Sequence, residues 1–193
     1  MRPRLWPDHQ LQMSGVRGLP KDLQPDRRGI TMTEPTIRLA DLETNDDLKA
    51  VIELIAEFKA LDGEELTWPQ RLGLADQLRR MAAFVLLAIR DDSVIGMLIA
   101  QRTMGSFTGL PSCNVHDLYL VEDARQGGLG TRMMTACADQ ARAMGCGKIT
   151  LEVNADNTPA LALYRSLGFD VPEGSVEGAG PQGATYYVKC PLD

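Results

Sequence analysis

Hydrophobic positions along the chain recur with two periods, one near two and one near 3.6. Residues 36–40 (TIRLA) alternate apolar and polar side chains and predict a first strand. Asp46 and Asp47 then precede Leu48, Val51, Ile52, Ile55 and Phe58, whose spacings of three and four define one face of a helix. Asp62-Gly63 ends it. Trp68-Pro69 opens a second helix, with Leu72, Leu78 and Met81 expected to face inward. Residues 84–89 read as a buried strand. Asp91-Asp92-Ser93 makes a turn, and residues 94–100 continue as the paired strand of a hairpin.

Residues 105–111 are rich in turn formers, and residues 114–121 (NVHDLYLV) predict the next strand. A glycine-rich turn leads into a helix from about Gly128 to Met144, whose inner face holds Met133, Met134, Cys137, Ala141 and Met144. Residues 148–153 (KITLEV) form another strand. Thr158-Pro159 marks a helix start, with Thr as N-cap and Pro in the first helical position. That helix stops at Gly168, a left-handed cap onto which Phe169 folds back. Residues 169–171 and 185–190 supply the last strands. The expected order is β-α-α-β-β-β-α-β-α-β-β, without internal repeats, in one domain over residues 34–193.

Residues 1–33 are different. The first 31 contain four of the chain's eleven prolines and carry neither period. They lack the continuous apolar stretch of a secretory signal, and their aspartates and prolines spoil a mitochondrial presequence. Two readings remain open: a disordered leader, or an upstream stretch preceding a natural start at Met32.

The 193 residues carry 20 basic and 26 acidic side chains, a net −6, which argues against a uniformly basic nucleic-acid binder. The charge is uneven. Residues 1–33 hold six Lys/Arg and three Asp, leaving 14 basic and 23 acidic residues, a net −9, on the rest. An acidic domain favours cationic partners. The longest apolar run, residues 81–89, is far short of a membrane span. Cys113, Cys137, Cys146 and Cys190 form no C-x-x-C pair, and His9 and His116 are the two histidines, so no metal site is expected. Scattered thiols fit a cytoplasmic protein.

The chemistry-bearing stretch is Arg125-Gln126-Gly127-Gly128-Leu129-Gly130, between a strand and a helix. Glycines let a ligand approach the backbone, and the helix behind aims unpaired N–H groups and a positive dipole at it, which suits phosphate oxygens. A dinucleotide site would need G-x-G-x-x-G in a repeated βαβ frame, and neither is present. A purely structural turn is the other alternative. A second segment runs from Asn154 to Phe169 and contains N-x-x-A-x-x-x-Y-x-x-x-G-F.

Together these two segments resemble the GNAT superfamily of acyl-CoA-dependent N-acetyltransferases. The resemblance is detailed over residues 114–169 and coarser over 36–190. It implies an α/β (mixed α+β) fold: a splayed mixed sheet of about seven strands flanked by about four helices. Acetyl-CoA would be the acyl donor, with no metal. Backbone contacts to pantetheine and thioester map to Leu118, Tyr119 and Leu120. The pyrophosphate loop maps to Gln126, Gly127, Gly128, Leu129, Gly130 and Thr131, led by Arg125. Asn157, Thr158, Pro159 and Ala160 map to the next cofactor contacts, and Tyr164 to the helix tyrosine. Asn157, Ala160 and Tyr164 share one helix face by spacing. Read without the motif, Tyr164 is an ordinary core aromatic and Asn157 an ordinary cap.

Acyl transfer to an amine requires a neutral nucleophile. An alkylamine of pKa about 10 is neutral in about one molecule per thousand at pH 7, a deficit of about 4 kcal/mol. A base relieves it. Polyamine-type members carry Glu where this chain has His116, and imidazole titrates near neutrality. Glu122, Glu152 and water chains remain alternatives, and strand alternation puts Asp117 on the opposite face from His116. Tyr164 would donate to the departing sulfur. The acidic link at residues 61–68, with Asp62, Glu64 and Glu65, suits either a second ammonium or plain solvation. The expected acceptor is a small primary amine, cationic or amino-acid-like. A peptide N-terminus and a catalytically silent acyl-CoA-binding module are the alternatives. Neither nucleic acid nor membrane is expected as a partner, and self-association as a homodimer stays open.

Overall fold

The computed structural model describes residues 33–81, 83–106, 108–125, 127–175 and 183–192. Residues 1–32, the greater part of the expected leader, lie outside the described residues, as does Gln126. The elements are β1 (Thr36–Leu39), α1 (Asn45–Ala60), α2 (Trp68–Arg80), β2 (Ala83–Arg90), β3 (Ser93–Thr103), β4 (Ser112–Leu120), α3 (Leu129–Ala143), β5 (Lys148–Asn154), α4 (Thr158–Ser166) and β6 (Thr185–Pro191). A short 3-10 turn, Glu122–Ala124, follows β4.

The six strands form one mixed sheet in chain order, antiparallel throughout except for the parallel pair β4 and β5. Side chains alternate across it. Val85, Leu87, Met97 and Ile99 pack with Val51 and Leu54 of α1 and Leu78 of α2. Leu86, Ala88, Leu98 and Ala100 pack on the other face with Met133, Met134 and Cys137 of α3 and Leu161 of α4. The hairpin between β2 and β3 turns through Asp91 and Asp92, both at positive φ (49° and 62°), as a two-residue loop demands.

Three local expectations give way. Residues 169–171 are not a strand: the Asp170 N–H donates to the Lys189 carbonyl, but the Lys189 N–H donates back to the Asp170 side chain rather than to a backbone carbonyl, so no ladder with β6 forms. Leu72 and Met81 are exposed, and Leu78 alone is buried in α2, because α2 is polar on most of its circumference and touches the core by one stripe. Asn157, not Thr158, caps α4: its Oδ1 accepts from the Ala160 N–H at 3.2 Å, which moves Thr158 and Pro159 one step into the helix.

One anchor of α1 was hidden in the sequence. Asp47 is buried and holds Arg38 of β1 in a two-pronged pair at 2.6 and 2.7 Å, while also accepting the Asp41 N–H at 2.7 Å. The Arg38 guanidinium holds the Asp47 carboxyl below the usual carboxylate range.

Candidate active site

Pairing between β4 and β5 runs only from Ser112↔Lys148 to Val115↔Leu151. Beyond it, β4 stays with β3 as far as Leu120↔Gly96, and β5 stays with β6 as far as Asn154↔Thr185. The two strands therefore part company and leave unpaired backbone edges facing each other. A cleft of about 590 Å³ occupies the wedge.

Where the strands separate, β4 carries a bulge. Ile99 faces Asp117 and Ala100 faces Val115, so His116 is the surplus residue. The bulge shifts the alternation by one. Cys113 and Val115 point to the α3 side before it; Leu118 and Leu120 do so after it, with Tyr119 on the α1 side. His116 and Asp117 are thus not on opposite faces, as simple alternation predicts. His116 Nδ1 lies 3.3 Å from Asp117 Oδ2, and both residues line the cleft. Burial pushes the Asp117 carboxyl up, while the charge and hydrogen-bonding capacity of His116 pull it back.

On the opposite wall, α3 starts at Leu129 behind Gly128, whose φ of 77° lies in the left-handed region that glycine favours. No side chain caps this end, and the first bond back into the helix is from the Arg132 N–H to the Gly128 carbonyl. The preceding helical N–H groups have no partner within the helix. A Cβ on Gly130 would come within 3.2 Å of Leu163 Cδ2, so the first turn of α3 lies close against α4. Arg125 Nε donates to the Leu120 carbonyl at 2.9 Å, and its guanidinium sits 5.7 Å from the Tyr119 ring centroid. This ties the glycine turn to the end of β4.

Tyr164 is buried on α4, 5.5 Å from the Phe169 ring. Gly168, at φ 86°, reverses the chain so that the Phe169 N–H reaches the Tyr164 carbonyl and the rings meet. Burial pushes the Tyr164 phenol up to about 12.

Of the residues expected from sequence, His116, Leu118, Tyr119, Leu120, Arg125, Gly128, Gly130, Thr131, Asn157, Pro159, Ala160 and Tyr164 line this one cleft. Gly127, Leu129 and Thr158 do not; Leu129 is buried in the core instead. Among the alternative bases, Glu152 lines the cleft and Glu122 does not. The acidic link turns away: Glu64 pairs with Lys59 at 3.1 Å, and of its residues Leu61 alone reaches the cleft. Sequence reading placed neither Phe58 nor Asp117 in the cleft, whereas Leu61 belongs to the link it assigned to the substrate. A helical face read as core conceals a cleft residue such as Phe58, which stacks on Tyr119 at 5.4 Å.

The family profile described as Acetyltransferase (GNAT) family matches residues 48–169. The chain belongs to the GNAT family of acetyltransferases. The GNAT domain is 29% identical over 147 residues to an IAA acetyltransferase of Azospirillum brasilense, covering 74% of this chain and 91% of that one. It is 38% identical over 73 residues to a mycothiol acetyltransferase of Saccharomonospora viridis, covering 38% of this chain. That match spans 24% of the mycothiol enzyme's length. The fold superimposes on a chain of the NatC complex bound to Gag peptide and CoA with a TM-score of 0.63 at 16% identity, covering 83% of this chain and 100% of that one. The expected α/β class with a splayed mixed sheet holds, with six strands and four α-helices among the described residues. The family is one of acetyltransferases, and the superimposed chain belongs to a complex bound to CoA. No helix among the described residues is long and apolar enough to cross a membrane.

Proposed function

We propose that the protein transfers the acetyl group of acetyl-CoA to the primary amine of a small, amino-acid-like or cationic substrate, by direct attack in a ternary complex. The observation that carries this reading is the cleft between β4 and β5, with a buried tyrosine on one wall and an imidazole–carboxylate pair on the other. About 590 Å³ falls in the range of small-molecule sites, which favours a small acceptor. The reading assigns the chemistry to residues 34–193 and leaves residues 1–33 outside it.

The unpaired N–H groups of the first turn of α3 and its dipole suit the pyrophosphate, around Gly128, Gly130 and Thr131. Gln126, Gly127 and Leu129 belong to the same loop by position. The open edges of β4 at Leu118, Tyr119 and Leu120 suit the pantetheine amides, and Asn157, Thr158, Pro159 and Ala160 flank them at the start of α4. Acetyl-CoA brings an acyl group already activated as a thioester. His116 takes the proton from the acceptor ammonium. A backbone N–H of the splayed edge stabilises charge developing on the carbonyl oxygen. Tyr164, kept protonated by burial, donates its O–H to the departing sulfur. None of the four cysteines lines the cleft, and direct attack needs no thiol nucleophile.

A panel of amines assayed for CoA release from acetyl-CoA, with mass spectrometry of the products, tests this reading. Small primary amines should be N-acetylated. Acetylation confined to peptide N-termini would reassign the acceptor. Tight acetyl-CoA binding with no amine-dependent release would leave only a binding module.

A further inference from the structure

We infer that Asp117 is the positioning residue for His116: its carboxylate accepts from imidazole Nδ1 and leaves Nε2 free to take the acceptor's proton. The inference rests on His116 being the base. It comes from the bulge. In an unbroken strand, neighbours 116 and 117 would project to opposite faces and could not meet. Because His116 is the surplus residue of the β3–β4 ladder, the two side chains meet at 3.3 Å, Nδ1 to Oδ2.

The pair is asymmetric. The Asp117 side chain is 29% exposed and that of His116 is 66% exposed, so the carboxylate is the anchored member. Among the described residues, His116 is the one ion-pair partner of Asp117. A neutral imidazole carries one donor and one acceptor nitrogen, and an ionised carboxylate only accepts. A carboxylate beside Nδ1 therefore favours the tautomer with hydrogen on Nδ1 and a lone pair on Nε2. Burial raises the energy of the Asp117 charge and His116 lowers it, as expected of groups that interact. The other ionisable groups of the cleft are Tyr119, Arg125, Glu152 and Tyr164.

Asp117→Asn keeps the shape, but its amide can donate as well as accept, so the tautomer is no longer fixed. We expect kcat to fall about 10-fold or more, up to the 10²–10⁴-fold that a general base supplies. The KM for the amine and the calorimetric Kd for acetyl-CoA should hold within about 3-fold. Asp117→Glu should restore part of the loss. In a His116→Gln background, Asp117→Asn should cost less than about 3-fold, because groups acting as one unit are not additive. Equal losses in both backgrounds would overturn the inference. So would a silent Asp117→Asn beside a crippled His116→Gln, or a raised amine KM at unchanged kcat. A silent His116→Gln would instead remove the base reading itself, and the inference with it. Nitrogen-15 NMR of the unsubstituted protein needs no variant to fold: His116 should carry its hydrogen on Nδ1, and an Nε2–H tautomer would overturn the proposal.

Discussion

The wall of the cleft built by α3 and α4 presents glycines, backbone N–H groups and short side chains, with Tyr164 and Arg125 as larger polar groups. The wall facing α1 presents Phe58, Leu61, His116 and Asp117, bulky or ionisable side chains drawn from a helix and from a strand far along the chain. A ligand part common to many enzymes, such as a pyrophosphate, can be held by main chain whose conformation needs only a few glycines and a helix start. A ligand part that differs between enzymes must be discriminated by side chains. The α3–α4 wall is thus set by local spacing, and the α1 wall by tertiary placement.

The largest expected effect lies on the first wall. Tyr164→Phe removes a hydroxyl from a buried ring, so acetyl-CoA should bind as before while kcat falls about 10²–10⁴-fold. Because burial lifts the phenol to about 12, it stays protonated at neutral and mildly basic pH. The kcat profile of the native enzyme should therefore show no fall belonging to Tyr164 up to about pH 10. A basic limb that disappears in the phenylalanine variant would break the assignment.

Next comes Gly130→Glu, which sets a side chain against Leu163 and a carboxylate at the first turn of α3. Like charges brought together cost several kcal/mol, so the Kd for acetyl-CoA should rise by at least about 100-fold, read by calorimetry on a variant whose circular dichroism is native. Unchanged affinity would show that this turn does not hold the pyrophosphate. A substitution on the other wall, Leu61→Ala, should leave that Kd nearly unchanged and shift the amine KM instead.

How much of this was legible in the sequence follows the same division. Gly128, Gly130, Asn157, Ala160, Tyr164 and Gly168-Phe169 stand at spacings dictated by a turn, a cap and a helix face, and they converge on one cleft or lock its tyrosine. The succession of strands and helices along the chain, apart from the extra strand expected at residues 169–171, and the hairpin at Asp91-Asp92 were equally readable from alternation and turn residues. The bulge was not. A period of two cannot announce the residue at which it slips, so Asp117 was placed on the wrong face. Phe58 was read as core because a cleft lined by aromatics has the same pattern as a core. Asp47 looked like an ordinary first-turn acid of α1, and only the pairing of β1 with β2 brings Arg38 to it.

That pair supplies the smallest effect. Asp47→Asn breaks a charge-assisted link between β1 and the helix that carries Phe58, at a cost of about 1–3 kcal/mol in urea unfolding at pH 7. The sign with pH follows from the lowered native pKa. Asp47 adds stability above the ordinary carboxylate value, near pH 4, and loses it as pH falls through the depressed native value. The variant and the native protein should therefore converge in stability toward low pH. A gap that stays constant from pH 7 to pH 3 would assign the effect to packing.

The central claim is that donor and acceptor occupy the two walls together and react directly. Initial rates measured over a grid of acetyl-CoA and amine concentrations test it most directly. Both walls filled at once predict double-reciprocal lines that intersect, and no acetylated enzyme trapped by mass spectrometry in the absence of amine. Parallel lines with a stoichiometric burst of CoA before any amine is added would mean a covalent acetyl-enzyme, and would contradict the account.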